Sequence, residues 1–170
     1  MHMNTKRLFI RKLLPEDWQK LKNIAADFRK SEYVIYDMPL PVEDNKIKEL
    51  TKQFAQSQLF FAVFLKDAAE MIGYVCFHNE SEVFDLGYCF HSAYHGKGYA
   101  FEACSELMNY INKNYKIKNF TAGTALKNIP SCGLLSRLGF VLKETECLSF
   151  HKDEAGNDIT FEGGIFTRPS

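Results

Sequence analysis

The chain has 170 residues, 46% hydrophobic and 25% charged, a balance that excludes disordered and fibrous polypeptides and suits one globular domain. Its 21 Lys and Arg offset 21 Asp and Glu, so the electrostatic footprint of a nucleic-acid or anionic-membrane binder is missing. The five cysteines, Cys76, Cys89, Cys104, Cys132 and Cys147, are odd in number, widely spaced and form no Cys-x-x-Cys pair; they read as small buried hydrophobes of a reducing, cytoplasmic compartment rather than as a disulfide or zinc framework.

The elements follow in chain order. Residues 7–13 read as a first strand that stops at Leu14-Pro15, and Pro15-Glu16-Asp17 opens a helix with proline and acidic residues in its first turn. Trp18, Leu21, Ile24, Ala25 and Phe28 then mark one helical face. Residues 31–41 are aromatic and irregular, and Pro39-Leu40-Pro41 forbids a helix through them. A second helix spans about 43–57, with Ile47, Leu50 and Phe54 on one side. Three apolar runs, 59–65, 71–78 and 83–90, are joined by short polar connections and therefore read as antiparallel neighbours. After a glycine-punctuated loop come a helix over about 98–114, a strand over 120–125 and a short helix over about 130–138 that ends at Gly139. Residues 141–150 and 158–167 close the chain as a hairpin around 154–157. This order predicts a mixed α/β (α+β) domain over residues 1–170, with a central, mostly antiparallel sheet flanked by helices and one strand–helix–strand crossover. No apolar stretch reaches the roughly 20 residues of a membrane span, and the polar start carries no signal-peptide pattern.

His95-Gly96-Lys97-Gly98-Tyr99-Ala100 sits between a predicted strand and a predicted helix. Two glycines let successive backbone N–H groups turn inward, and a helix N-terminus adds about half a positive charge, so the loop suits a phosphate or diphosphate; a plain turn with a helix cap is the competing reading. Phe101 stands where a Walker A loop begun at Gly96 needs its second glycine and where a dinucleotide fingerprint needs its third. His91 and His95 have the spacing of a zinc helix but lie in a loop without the adjacent Glu, so no metal is expected.

The stretch His95 to Ala100, with Phe101-Glu102-Ala103 behind it, resembles the acyl-CoA diphosphate loop of the GNAT superfamily of N-acetyltransferases. Asn128-Ile129-Pro130-Ser131, running on to Arg137-Leu138-Gly139-Phe140, is similar to that superfamily's second motif. Arg7-Leu8-Phe9-Ile10-Arg11 with Pro15-Glu16-Asp17, and Asp85-Leu86-Gly87-Tyr88, resemble stretches of its RimJ/RimL-type branch. The resemblance implies a GNAT-like acyl-CoA transferase fold and transfer of acetyl from acetyl-CoA to a primary amine, either a protein N-terminus or a small molecule. It departs from the pattern at His95, where Arg or Gln is usual, at Leu135, where many members carry a proton-donating Tyr, and at Asp85, one methylene shorter than the usual Glu.

The resemblance assigns Asp85 as the base that neutralises the amine, with Glu82 as a second candidate, and Ser131 as the group serving the departing thiolate or, alternatively, capping the short helix. A backbone N–H of Cys89 or Phe90 is expected at the thioester carbonyl. His95, Gly96, Lys97, Gly98, Tyr99 and Ala100 form the cofactor loop, with Lys97 facing phosphate or solvent, and Asn128 is placed on the pantetheine arm. Acceptor contacts are expected from Tyr33, Tyr36 and Met38 and, in the final hairpin, from Glu146 and His151, all equally explicable as packing. Three functions remain open on the residues alone: an N-acetyltransferase acting as monomer or homodimer, a non-catalytic acyl-CoA-binding module with a protein partner, and a nucleotide-binding protein using the same loop.

Overall fold

Alternating and continuous apolar runs become strands and 3.6-residue stripes become helices in the computed structural model, which describes residues 2–68 and 70–169. In chain order these are β1 (His2–Asn4), β2 (Leu8–Lys12), α1 (Trp18–Phe28), α2 (Asp44–Gln56), β3 (Phe60–Leu65), β4 (Met71–Glu80), β5 (Val83–Phe90), α3 (Tyr99–Asn114), β6 (Asn119–Ala125), α4 (Ile129–Arg137), β7 (Val141–Lys152) and β8 (Asp158–Pro169). The strands form a single sheet in the order β1-β2-β3-β4-β5-β6-β8-β7. All neighbours are antiparallel except β5 and β6, which the α3 crossover makes parallel. The mixed, mostly antiparallel sheet expected from the sequence is therefore the architecture observed.

Two apolar layers hold the helices to the sheet. On one face Leu8, Ile10, Phe61, Val63, Phe84 and Leu86 meet Cys104, Leu107, Met108 and Ile111 of α3. On the other, Phe60, Ala62, Phe64 and Met71 meet Leu21 and Ile24 of α1 and Ile47 of α2. Each such large side chain contributes roughly 1.5–3 kcal/mol by leaving water. Alternate residues of β3 serve opposite layers, so Phe60 through Phe64 are all buried.

Several local features differ from the sequence reading. β1 has no apolar alternation to announce it and is held by backbone pairing to β2, from His2↔Arg11 to Asn4↔Phe9. Pro15–Asp17 forms a separate 3-10 turn before α1, and Glu32–Tyr36 forms another inside the irregular segment. Thr51 faces the interior of α2 because its hydroxyl donates to the Ile47 carbonyl at 2.6 Å, which satisfies it without water. Cys76 and Cys104 are buried as expected, but Cys147 is exposed, because β7 is the outer strand of the sheet and shows most of its residues to solvent.

Asp17 is the fold's one fully covered carboxylate among the described residues. Burial alone would raise its pKa, but two Arg11 bonds at 2.6 and 2.9 Å, the Leu14 N–H at 3.0 Å and Lys20 at 3.2 Å together hold it below the usual range. The stability this gives is present above the carboxylate's ordinary pKa and is lost as pH falls through the depressed one. Asp17→Ala should cost about 3 kcal/mol, because Arg11 and the Leu14 N–H lose their partner; equilibrium urea unfolding at neutral pH checks it, and the gap to wild type should narrow in acid.

Candidate functional site

The loop between β5 and α3 is built by two glycines. Gly96 (φ 73°) and Gly98 (φ 80°) are left-handed, a conformation costly for any other residue. Gly98 caps α3, whose first helical hydrogen bond is Glu102 N–H to Gly98 O at 3.1 Å. The N–H groups of Tyr99, Ala100 and Phe101 precede that bond and have no helical carbonyl to reach, so they project from the positive end of a 16-residue helix.

Polar contacts fix the loop from behind. The Arg7 guanidinium donates to Lys97 O at 2.9 Å and grips the Glu102 carboxylate at 2.7 Å, while its central carbon lies 4.4 Å from the centre of the Tyr99 ring. Glu102 also takes the Arg7 backbone N–H and the Thr5 hydroxyl; these bonds outweigh its partial burial and hold its pKa down. Asp27 accepts both the N–H and the hydroxyl of Ser92 at 2.7 Å. The His95 ring bonds the Phe90 carbonyl at 2.7 Å, His91 Nδ1 accepts the Ala93 N–H, and Lys97 Nζ donates to Ala93 O at 2.9 Å. The two histidines thus serve different backbone groups. Among the described residues, no cluster of three or more His, Cys, Asp or Glu is placed to hold a metal.

A wedge opens in the sheet beside this loop. Parallel pairing of β5 with β6 runs only through Val83↔Asn119, Phe84↔Phe120 and Asp85↔Thr121, while 86–90 lead on towards the loop without a partner in β6. His91 N–H bonds Ile72 O on the β4 side, and Lys118 N–H bonds Glu82 O on the β6 side. By strand alternation the backbone groups of Leu86, Tyr88 and Phe90 face the wedge, whereas the Cys89 N–H faces Tyr74 of β4. Of the two residues read from sequence for a carbonyl-binding N–H, the alternation leaves Phe90, with Tyr88 beside it, and removes Cys89.

The wedge has two chemically different sides. On the α3 side, Tyr88 Oη lies 2.8 Å from Ser131 Oγ, and burial pushes the Tyr88 phenol upward. Asn128 Oδ1 accepts the Ser131 N–H at 3.2 Å, so Asn128, not Ser131, caps α4. Leu135 is 1% exposed and belongs to the core. On the opposite side, Asp85 accepts the Thr121 hydroxyl at 2.8 Å; burial raises its carboxyl against the pull of Thr121 and His78. Glu82 is ion-paired to Lys116 and Lys118 at 2.7 and 3.2 Å, at the closed end of the wedge, which makes it a poor base.

Beyond Asp85 on that side, a cavity of about 80 Å³ lies between α1 and β5, lined by Phe28, Asp37, Met38, Tyr74 and Cys89. Burial pushes the Cys89 thiol up to about 12, so it stays protonated there. Of the three aromatic-segment residues, Met38 lines this cavity, Tyr36 packs on Phe161 of β8 at 5.2 Å, and Tyr33 is not among its walls. His151 ties the final hairpin to the segment through Asp37 O at 2.7 Å. Glu146 lines a separate cavity of about 460 Å³ on the hairpin, with Lys127, Cys147 and Glu162. Sequence reasoning missed Tyr88 as a partner for Ser131, although Tyr88 closes the quoted Asp85 stretch, and missed Arg7 with Glu102, which lie 95 residues apart.

A sequence model described as the acetyltransferase (GNAT) domain matches residues 7–141. An uncharacterized N-acetyltransferase, YnaD of Bacillus subtilis, is 28% identical over 141 residues, covering 82% of each chain. The [ribosomal protein uS5]-alanine N-acetyltransferase of Escherichia coli is 28% identical over 153 residues, 82% of this chain and 78% of that one. Among solved structures, the ribosomal-protein-S5-alanine acetyltransferase of Vibrio fischeri superposes with a TM-score of 0.83 at 16% identity, covering 99% and 96% of the two chains. RimL, a ribosomal L7/L12 α-N-protein acetyltransferase in complex with coenzyme A, gives 0.81 at 16%, covering 99% and 98%.

Proposed function

Because the chain belongs to the GNAT acetyltransferase family, whose acetyl-CoA-dependent N-acetyltransfer is its activity, we propose that residues 1–170 work as one domain acetylating a protein N-terminal α-amino group. The observation that carries this reading is the wedge between β5 and β6, which opens beside a helix N-terminus with its first N–H groups free. The diphosphate of coenzyme A suits this loop because the first N–H groups of α3 have no helical partner, the helix end is positive, and a Cβ on Gly98 would need a strained backbone. Gly96, Lys97, Gly98, Tyr99 and Ala100 hold that group, and Asn128 borders the path of the pantetheine arm. Bound there, acetyl-CoA supplies an activated acetyl thioester.

Each side of the wedge then has a task. The Phe90 or Tyr88 N–H donates a hydrogen bond to the thioester oxygen as negative charge builds on it. Asp85, through a water, takes the proton from the ammonium of the acceptor, which enters from the α1 side past Met38. The Ser131 hydroxyl, backed by Tyr88, donates a hydrogen bond to the departing sulfur and relays to it the second proton that the attacking nitrogen sheds. At pH 7 neutralising an α-amine of pKa ~8 costs about 1.4 kcal/mol, whereas a lysine at ~10.4 costs about 4.6 kcal/mol. A single carboxylate thus suits the α-amine, the acceptor class named for the uS5-alanine relatives.

A thiol-release assay with acetyl-CoA against N-terminal peptides, polyamines and aminoglycosides tests the reading. Release with α-amino peptides is expected. Coenzyme A binding with no release against the whole panel would replace it with a non-catalytic acyl-CoA-binding module.

A further inference from the structure

We propose that Arg7 is a positioning residue for the diphosphate loop, acting through Lys97 and Glu102 rather than on any reacting atom. The inference rests on the reading that this loop binds coenzyme A. Lys97 O and Gly98 N–H belong to one peptide unit, and in a trans peptide they point in opposite directions. Arg7 Nη1 holds Lys97 O from behind at 2.9 Å, so the Gly98 N–H is turned to the other side, where the helix N-terminus opens. The same guanidinium faces a second problem. Glu102 sits in the first turn of α3 and, unpaired, would present a negative charge to an incoming diphosphate. Arg7 Nε and Nη2 both meet Glu102 Oε2 at 2.7 Å, and the Arg7 N–H and Thr5 hydroxyl take Oε1.

The planar fork is needed for both tasks at once. Its Nη1 serves the loop carbonyl, its Nε and Nη2 serve the carboxylate, and its central carbon sits over the Tyr99 ring at 4.4 Å. Its Nη2 lies 3.5 Å from where a Gly98 Cβ would stand, so the brace reaches the point at which the loop turns into helix. A lysine carries the charge but cannot span Lys97 O and Glu102 together. Sequence position alone hides this, since Arg7 immediately precedes β2 and Lys97 follows 90 residues later.

The test compares Arg7→Met and Arg7→Lys with wild type in two readouts. The first is the dissociation constant of coenzyme A by calorimetry, with its ligand-induced rise in melting temperature. The second is turnover with S-acetylpantetheine, which carries the same thioester and no diphosphate. Arg7→Met should weaken coenzyme A by between about tenfold and a hundredfold while kcat/KM for acetylpantetheine stays within about twofold, and Arg7→Lys should recover only part of the loss. Coenzyme A affinity within threefold of wild type in Arg7→Met overturns the proposal, as does an equal loss in coenzyme A affinity and in acetylpantetheine turnover, which would mark general damage to the fold. Wild-type protein that fails to bind coenzyme A would overturn the transferase reading and this one with it. Tight wild-type binding left untouched by Arg7→Met overturns this one alone.

Discussion

Gly98→Glu is expected to raise the dissociation constant of coenzyme A by at least about a hundredfold. Two effects combine. At φ 80° any L side chain is strained by roughly 1–2 kcal/mol, and relief of that strain rotates the loop amides out of line. The new side chain would also begin 3.5 Å from Arg7 Nη2, where its carboxylate pulls the guanidinium away from Lys97 O and adds negative charge to the helix N-terminus that has to meet a diphosphate. Gly98→Ala separates these terms, because it keeps the strain and omits the charge; its loss should be tenfold or so. Calorimetric titration with coenzyme A reads both variants. Unchanged affinity in Gly98→Glu would remove the loop from the binding site.

The second large effect concerns Asp85. Asp85→Asn should lower turnover at neutral pH by about a hundredfold, the scale of a lost general base, and leave coenzyme A affinity nearly intact. The Asn side chain can still accept the Thr121 hydroxyl, so the geometry of the closed end of the wedge is kept. Burial raises the wild-type carboxyl, so the fold favours its protonated form. That contribution to stability is complete below the unfolded carboxyl's pKa and is lost as pH rises through the folded one. A permanently neutral Asn avoids the loss, and thermal melts at neutral pH should show Asp85→Asn at least as stable as wild type. The acidic limb of the wild-type rate profile should lie above the range of an ordinary carboxylate. Wild-type turnover in Asp85→Asn would eliminate this residue as base.

The expected and observed elements agree where local chemistry decides them. β5 spans Val83–Phe90 as read, and α3 starts one residue after the expected Gly98, because apolar period and glycine punctuation act over neighbouring residues. The left-handed glycines were legible for the same reason, since a tight turn into a helix calls for residues tolerant of positive φ. The wedge was not legible. Whether β6 follows β5 for three rungs or seven depends on twist and on β8 competing from the other edge, and Val83-Phe84-Asp85 looks no different in composition from Leu86-Gly87-Tyr88. Aromatic residues misled for a related reason. Tyr36 finds Phe161 across the hairpin, and no pattern near Tyr36 announces a partner 125 residues later. Glu82 looked like a free edge carboxylate until Lys116 and Lys118 were brought beside it by the crossover.

The insertion of β8 between β6 and β7 has a consequence for how the protein is made. Past Thr121, β6 has only β8 to pair with, from Thr121↔Thr167 to Ala125↔Gly163. Residues 126–169, β8 among them, are translated after β6, which takes several seconds at about 5–20 residues per second. Through that interval β6 is paired to β5 only up to Thr121 and bare on both edges beyond it, while β2–β5 and α3 are already complete. Nascent chains stalled before β8 should therefore expose β6 to chaperones or to pairing with neighbouring chains, and a premature stop at the start of β8 should be as damaging as one far upstream of it.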